Sequence, residues 1–208
     1  MTFGNIGNVE NQAFKACFKL TSVIIPSTVT NIFNIGISAF SNCRFLRSIT
    51  IPTTVQRIDN YAFESCHSLT SITIPTSVIS LGYDTFHDCY SLVSVINLSG
   101  VTSISDRMFW GCYSLSLFTI PPSVISIGEL AFASCISLKS VNIPTRVSSI
   151  GELAFLNCKS LASVSIPTSV TTIGIHLSVT TTSTNISSSL SSYHHYHKVQ
   201  WLPANASS

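Results

Sequence analysis

The cysteines of this chain recur at a nearly constant interval, and that interval limits the possible folds more than any other feature of the sequence. A 26-residue spacing separates the first two cysteines, and a 23-residue spacing separates every later neighbouring pair. The seven positions are Cys17, Cys43, Cys66, Cys89, Cys112, Cys135 and Cys158. A period of roughly 20–50 residues is typical of solenoids and other repeat arrays. The chain is therefore expected to repeat one structural unit.

Apolar residues keep fixed distances from each cysteine. Phe lies three residues before it, Leu lies three residues after it, and Val, Ile or Phe lies six residues after it. An Ile-Pro pair follows in six of the seven copies. The clearest copy is the 23-residue stretch 127–149, IGELAFASCISLKSVNIPTRVSS, which starts again at Ile150. Such columns are expected of a coil that returns to the same place once per repeat.

The pattern inside one copy predicts a short strand followed by turns. Leu-x-x-Val-x-Ile alternates with period two, which suits a strand with one buried face, and the following Pro cannot donate to a β-ladder. Ala-Phe-x-x-Cys predicts a single helical or 3₁₀ turn, because Phe and Cys three residues apart share a face. The expected fold is a repeat solenoid, with short parallel strands on its concave face and turns and short helical or 3₁₀ segments on its convex face.

The unit L-x-x-I-x-I-P-x-x-V-x-x-I-G-x-x-A-F-x-x-C resembles the repeat of BspA-like surface proteins, also called the Treponema-type leucine-rich repeat. The resemblance extends from about Ile6 to Gly174. Proteins of this family are curved solenoids of bacteria and protists, often linked to cell-surface adhesion or to binding of host and matrix proteins. The resemblance therefore implies a non-enzymatic protein-interaction module and favours the cell surface.

Two regions are predicted along the chain. Residues 1–174 form the solenoid of about seven 23-residue repeats, with a 26-residue spacing between the first two and an incomplete N-terminal repeat. Residues 175–208 are rich in Ser and Thr and predict a disordered tail, because such a composition cannot bury a core. In that tail, His194, His195 and His197 are interpreted as solvated rather than metal-binding, and Asn185 and Asn205 lie in N-x-S glycosylation sequons.

The composition argues against several classes of partner. Only 9% of the residues are charged and the net charge is +2, whereas nucleic-acid binding needs a dense basic patch. No apolar run is long enough for a membrane-inserted helix, and the first residues lack the basic and apolar regions of a signal peptide. Localisation is therefore left open, and a truncated gene product or a fragment of a longer array is expected.

No catalytic residue, cofactor, metal site or small-molecule substrate is predicted. The cysteines occupy one inward position per repeat, which predicts buried free thiols, and no C-x-x-C pair suggests zinc. The stretch YDTFHD at 83–88 puts His87 between Asp84 and Asp88. Catalysis there would need a nucleophile beside the histidine and a pocket, and a convex surface turn is expected to offer neither.

The copy at residues 92–118 departs most from the pattern. Asn97 replaces an inward Ile, Leu98 replaces the Pro, and Phe118 enlarges the strand column. Asp106 and Arg107 replace the Gly-containing turn. Because its length is unchanged, this copy is expected to keep the fold with a local bulge or a shifted strand end.

The predicted binding surface consists of the outward-facing strand residues. Most of these carry hydroxyl groups, and two cations lie near the edges of the surface. It becomes apolar at Val93, Ile96 and Leu117. The candidate partner-binding residues are Arg47, Thr73, Ile96, Leu117, Thr119, Lys139 and Asn142. The first hypothesis is that they contact a protein ligand. The alternative is a structural spacer, or a fragment of a longer repeat array, with no binding activity of its own.

Overall fold

The structure is a computed structural model that describes residues 8–26 and 32–174 of the 208-residue chain. The predicted tail, with its histidines and its two sequons, lies outside the described residues. The regular secondary structure consists of short strands: β1 (Ser22–Ile24), β2 (Asn34–Ile35), β3 (Ser48–Thr50), β4 (Arg57–Ile58), β5 (Ser71–Thr73), β6 (Ser80–Leu81), β7 (Ser94–Ile96), β8 (Ser103–Ile104), β9 (Ser126–Ile127), β10 (Val141–Asn142), β11 (Ser149–Ile150), β12 (Val164–Ser165) and β13 (Thr172–Ile173).

The strands pair in parallel, each with the equivalent strand of a neighbouring repeat. In β5 and β7, Ile72 lies opposite Val95, which holds the same position in the next repeat. In β1 and β3, Val23 lies opposite Ile49, although the longer first spacing of the sequence separates them. One sequence repeat is therefore one turn of a coil, and the predicted parallel-strand solenoid is confirmed.

Most repeats contain two strands, whereas the pattern predicted one. The expected strand follows the recurring Leu and gives β1, β3, β5, β7, β10 and β12. The second strand forms where Val-x-x-Ile was interpreted as a turn, and it gives β2, β4, β6, β8, β9, β11 and β13. Within β9, Ile127 is buried while Ser126 is not. Two residues are too few for the period-two alternation to be visible in a sequence.

The predicted helical or 3₁₀ turn at Ala-Phe-x-x-Cys is wrong, because the described residues contain no helix. The backbone N–H groups of Ser38, Phe40 and Asn42 donate to carbonyls of the next repeat at 2.7–2.9 Å. The residues between them donate to carbonyls three positions earlier. Ser38 and Asn42 adopt positive φ angles of 55° and 61°, which a right-handed helix cannot contain. Among the described residues there is consequently no helix of the length and apolarity that crossing a membrane requires.

The core consists of the columns that the sequence pattern predicted. In the repeat that starts at β3, the buried side chains are Ile49, Ile51, Val55, Ile58, Ala62, Phe63, Cys66 and Leu69. The phenylalanine rings form one stack along the coil, with successive centroids 5.1–5.7 Å apart and nearly parallel planes. Each layer therefore buries its apolar residues against the layers on either side, which one repeat could not do alone.

The irregular repeat keeps the coil through two local changes. Asn97 adopts a φ of 65° and is exposed, while Leu98 turns into the core, so the repeat keeps its length through a local change of backbone direction. Asparagine tolerates this left-handed backbone better than most residues. One repeat later, the buried ring of Phe118 packs at a tilt between Phe109 and Phe132, and residues 116–120 form no strand. The first column of strands is therefore interrupted between β7 and β10.

Candidate functional site

The strand face is defined here as the outward side of the first strand in each repeat, residues 21–25, 47–51, 70–74, 93–97, 116–120, 139–143 and 162–166. This face results from the alternation of exposed and buried residues along each strand. In β1, β3 and β5 the first residue is exposed, the second is buried and the third is exposed. The buried residue joins the core and its two neighbours face outward. Successive repeats thus place their exposed strand residues side by side in columns.

All seven residues proposed from the sequence are exposed on the strand face: Arg47, Thr73, Ile96, Leu117, Thr119, Lys139 and Asn142. Thr73 and Ile96 end β5 and β7 and lie opposite each other in the parallel register. Arg47 directly precedes β3, and Lys139 lies two residues before β10. Their role in binding remains a prediction, because exposure alone does not identify a contact surface.

Exposed apolar side chains interrupt the hydroxyl groups of the strand face. Val93 is 44% exposed, Ile96 is 48% exposed and Leu117 is 72% exposed. Ile24, at the end of β1, is 70% exposed and was not among the proposed residues. The sequence contained a signal for Ile24, because it holds the same position in its repeat as Thr50, and the two residues lie opposite each other in the parallel register. The apolar character therefore occurs in the first repeat as well as in the middle of the face.

Charge is distributed unequally between the two sides of the coil. All eight carboxylate side chains lie in the turn segments that precede the cysteines. Such a segment runs from the second strand of a repeat, or from Val9 in the first repeat, to the next cysteine. The eight residues are Glu10, Asp59, Glu64, Asp84, Asp88, Asp106, Glu129 and Glu152. The strand face carries two charged residues, Arg47 and Lys139. The strand face is therefore cationic, and the turn side carries every acidic side chain.

The histidine singled out in the sequence belongs to a polar cluster on the turn side. His87 Nδ1 lies 3.4 Å from Asp84 Oδ1, and His87 Nε2 lies 3.6 Å from Asp88 Oδ1. Asp84 is buried and accepts a 3.1 Å hydrogen bond from Arg107 Nε of the next repeat. That bond, followed by the charge of Asp84, raises the pKa of Arg107. Arg107 holds the position equivalent to Asp84 one repeat later, so this contact joins the same position of two neighbouring repeats.

The cluster also makes contacts between neighbouring repeats. The Ser41 hydroxyl donates to Glu64 at 2.9 Å rather than to the histidine. His87 instead stacks on Trp110, with ring centroids 4.8 Å apart. In residues 8–26 and 32–174, His, Cys, Asp and Glu form no group suited to holding a metal ion. These contacts hold neighbouring repeats together.

Aromatic residues stack from repeat to repeat on the turn side, which the sequence analysis did not predict. His67, Tyr90 and Tyr113 follow successive cysteines, and their rings stack at 4.4 Å and 4.9 Å. Burial, followed by the charge of Arg44, lowers the pKa of His67, so its neutral form is favoured. The signal in the sequence was their common position, directly after a cysteine of the repeat.

The cysteine column is a ladder of free thiols, as predicted for the described residues. From the second repeat onward, each Sγ donates to the carbonyl of the phenylalanine in the preceding repeat. For example, Cys112 bonds Phe86 O at 3.1 Å and Cys135 bonds Phe109 O at 3.2 Å. Burial raises the pKa of Cys43 to about 11 and that of Cys158 to about 12. At neutral pH these thiols are therefore protonated, and they pack in the core.

Comparison with known proteins agrees with the geometry. The sequence profile of the BspA type leucine-rich repeat region matches residues 7–136 and 102–196 in six copies. A leucine-rich repeat protein of T. pallidum is 30% identical over 83% of this chain, with a TM-score of 0.56. A leucine-rich repeat protein from Eubacterium ventriosum is 29% identical over 74% of this chain, with a TM-score of 0.64.

A third solved structure, a leucine-rich repeat protein from Bacteroides ovatus, is 27% identical over 80% of this chain, with a TM-score of 0.58. No curated protein sequence matches the chain. The chain spans 68% of the T. pallidum protein, 41% of the E. ventriosum protein and 55% of the B. ovatus protein. The similarity therefore covers a shared set of repeats within longer proteins.

Proposed function

This chain belongs to the BspA-type leucine-rich repeat family, and from that premise we propose that it binds a protein ligand through the strand face. Solenoids present extended surfaces that suit recognition of other proteins. The ligand proposed is a host or matrix protein met at the cell surface, as the family resemblance implies. The role is adhesive and non-enzymatic, and the binding residues are the seven exposed positions from Arg47 to Asn142.

The exposed apolar group at Val93, Ile96 and Leu117 is the observation that carries this proposal. The equivalent positions of other repeats are mostly Ser and Thr, which keep an outward sheet face soluble. Apolar groups at the centre of a polar surface are a common feature of protein interfaces. The solenoid core does not need these three side chains, because its own columns are filled by buried residues.

Paired substitutions on two surfaces test the proposal by surface plasmon resonance on immobilised fibronectin and laminin. Ile96→Ser combined with Leu117→Ser should weaken binding at least about tenfold, because removing each apolar contact costs on the order of 1 kcal/mol or more. Ile79→Ser combined with Ile125→Ser is the matched control, since both are exposed isoleucines outside the strand face. That control should leave binding unchanged.

The outcomes separate the two hypotheses drawn from the sequence. Equal loss of binding in both variants would reject the strand face as the contact surface. If the unmodified chain bound neither protein, while circular dichroism showed it folded, the structural spacer would be favoured over an adhesive module for these matrix proteins.

A further inference from the structure

One column of the strand face has a cation in the second repeat, an apolar residue in the fourth repeat and a second cation in the sixth repeat. From the second repeat to the sixth, the residues that start the exposed strand segments follow one another at 23-residue intervals: Arg47, Thr70, Val93, Ser116 and Lys139. Thr21 and Ala162 hold the same position in the first and the seventh repeat. Arg47 and Lys139 are therefore four repeats apart, and Val93 is midway between them. At roughly 4.8 Å per strand, the two cations are separated by about 19 Å.

The two cations are not used within the described structure. The ion pairs of the described residues involve His87 and Arg107, and neither Arg47 nor Lys139 takes part in one. Both side chains are exposed. No carboxylate lies on the strand face, because every acidic residue is in a turn segment. The charge of Arg47 and Lys139 is thus available to a ligand that supplies the missing anions.

Apolar groups occupy the space between the two cations. Ile96 lies in the same repeat as Val93, and Leu117 lies in the next one. Leu117 keeps its outward direction although residues 116–120 form no strand. A ligand that crossed the repeats along this column would therefore meet a positive charge, then apolar side chains, then a second positive charge.

We propose that the strand face takes an extended acidic peptide segment with an apolar centre. The proposal rests on the proposed function, and it specifies the chemistry of the protein ligand. An extended segment advances about 3.3 Å per residue, so six steps span about 20 Å. Alternate side chains of such a segment point the same way. The segment that fits is acidic-x-apolar-x-apolar-x-acidic, with its carboxylates at Arg47 and Lys139.

A synthetic peptide provides the probe: Glu-Ser-Leu-Ser-Leu-Ser-Glu, capped at both ends and immobilised at high density. Binding of the full chain is measured by surface plasmon resonance at low and at raised salt. The unmodified chain should bind, and binding should fall with added salt because exposed charges are screened. The same peptide with Lys in place of Glu, and the same peptide with Ser in place of Leu, should each bind at least about tenfold more weakly.

Charge reversal in the protein gives the second arm. Arg47→Glu combined with Lys139→Glu should reduce peptide binding about tenfold or more, since two attractions become repulsions. Arg146→Glu combined with Lys159→Glu is the matched control, because both cations are exposed and lie off the strand face. The control should bind as the unmodified chain does, and thermal melting should show that both variants remain folded.

The inference is overturned if the unmodified chain does not bind the peptide, or if it binds the Glu and Lys peptides equally. It is also overturned if charge reversal of Arg47 and Lys139 lowers peptide binding no more than the control variant does. The proposed function can fail separately. Suppose that Ile96→Ser with Leu117→Ser abolished fibronectin or laminin binding, while charge reversal of Arg47 and Lys139 changed neither that binding nor peptide binding. The strand face would then bind protein without selecting acidic segments.

Discussion

Single side chains join one repeat to the next in this solenoid, and the cysteine column is the most regular example. Each buried thiol donates to a phenylalanine carbonyl in the preceding repeat, from Cys43 to Phe14 at 3.0 Å through Cys158 to Phe132 at 3.1 Å. A small apolar residue would fill most of the space but could not donate. The recurring cysteine therefore marks a hydrogen bond between repeats as well as a packing position.

Cys112→Ala is expected to lower the free energy of unfolding by about 1–2 kcal/mol, through loss of this hydrogen bond and of sulfur packing. Urea denaturation followed by circular dichroism measures it. Cys17→Ala in the partly exposed first layer is the control and should cost less. A larger cost at Cys17 than at Cys112 would contradict the role given to the buried thiol.

The buried carboxylate of Asp84 accepts a hydrogen bond from Arg107, which holds the equivalent position of the next repeat. Arg107→Ala is expected to lower the free energy of unfolding by roughly 1–3 kcal/mol, because Asp84 would lose its principal donor while remaining buried. Urea denaturation of the variant gives the value. Arg146→Ala, at an exposed cation, should change stability by less than about 0.5 kcal/mol. If the two variants unfolded alike, the Asp84–Arg107 contact would contribute little.

At the scale of the element, the turn segments are shaped by where their hydrogen bonds go. Alternate N–H groups are used between repeats, so the segment cannot close the bonds of a helix. This backbone path requires a pair of residues with positive φ in most repeats, such as Leu130 at 53° and Ser134 at 60°. Glycine fills the second position in one repeat, where Gly111 has a φ of 75°.

Ser134 tests whether this backbone conformation limits stability. Ser134→Val is expected to cost at least about 1–2 kcal/mol, because a β-branched residue is disfavoured at positive φ. Ser134→Gly should be neutral or slightly stabilising. Thermal melting compares the two, with Ser137→Val as the control because Ser137 lies in the same repeat and lacks positive φ. Similar destabilisation by both valines would show that the backbone angle is not the cause.

At the scale of the whole molecule, the stack of buried thiols makes stability depend on alkaline pH. Burial raises the pKa of Cys66, Cys112 and Cys135 well above the usual value of about 8.5. The folded state therefore holds protons that the unfolded state has released. This contribution is fully present below about pH 8.5 and is lost as the pH rises through the folded-state pKa values, which reach about 11 for Cys43 and about 12 for Cys158.

The free energy of unfolding should therefore fall from about pH 8.5 upward, by roughly 1.4 kcal/mol per pH unit for each fully buried thiol. Urea denaturation at a series of pH values measures the slope. Replacing Cys112 and Cys135 together with Ala should reduce that slope by the contribution of two thiols. An unchanged slope in the double variant would assign alkaline unfolding to groups other than the thiols.

The sequence by itself determined the solenoid, because a 23-residue period of Phe, Cys, Leu and Val can bury its apolar columns only by stacking one layer on the next. It also identified the outward strand residues, since alternation around a buried Val or Ile fixes their direction. Family and fold followed from local pattern alone. A local backbone change near Asn97 was also predictable, because a missing inward Ile in a repeat of unchanged length needs a local adjustment.

The tertiary structure decided what depends on contacts between layers. The second strand exists because Ser126 and Ile127 pair with Ser103 and Ile104 and with Ser149 and Ile150 in adjacent layers. The helical turn was wrong because N–H groups that a helix would use internally, such as that of Phe40, bond to the next repeat. The Asp84–Arg107 pair and the stacked rings at His67, Tyr90 and Tyr113 join residues of successive repeats. These residues hold equivalent positions 23 residues apart, so the repeat aligned them in the sequence, but only the structure showed that their side chains are in contact.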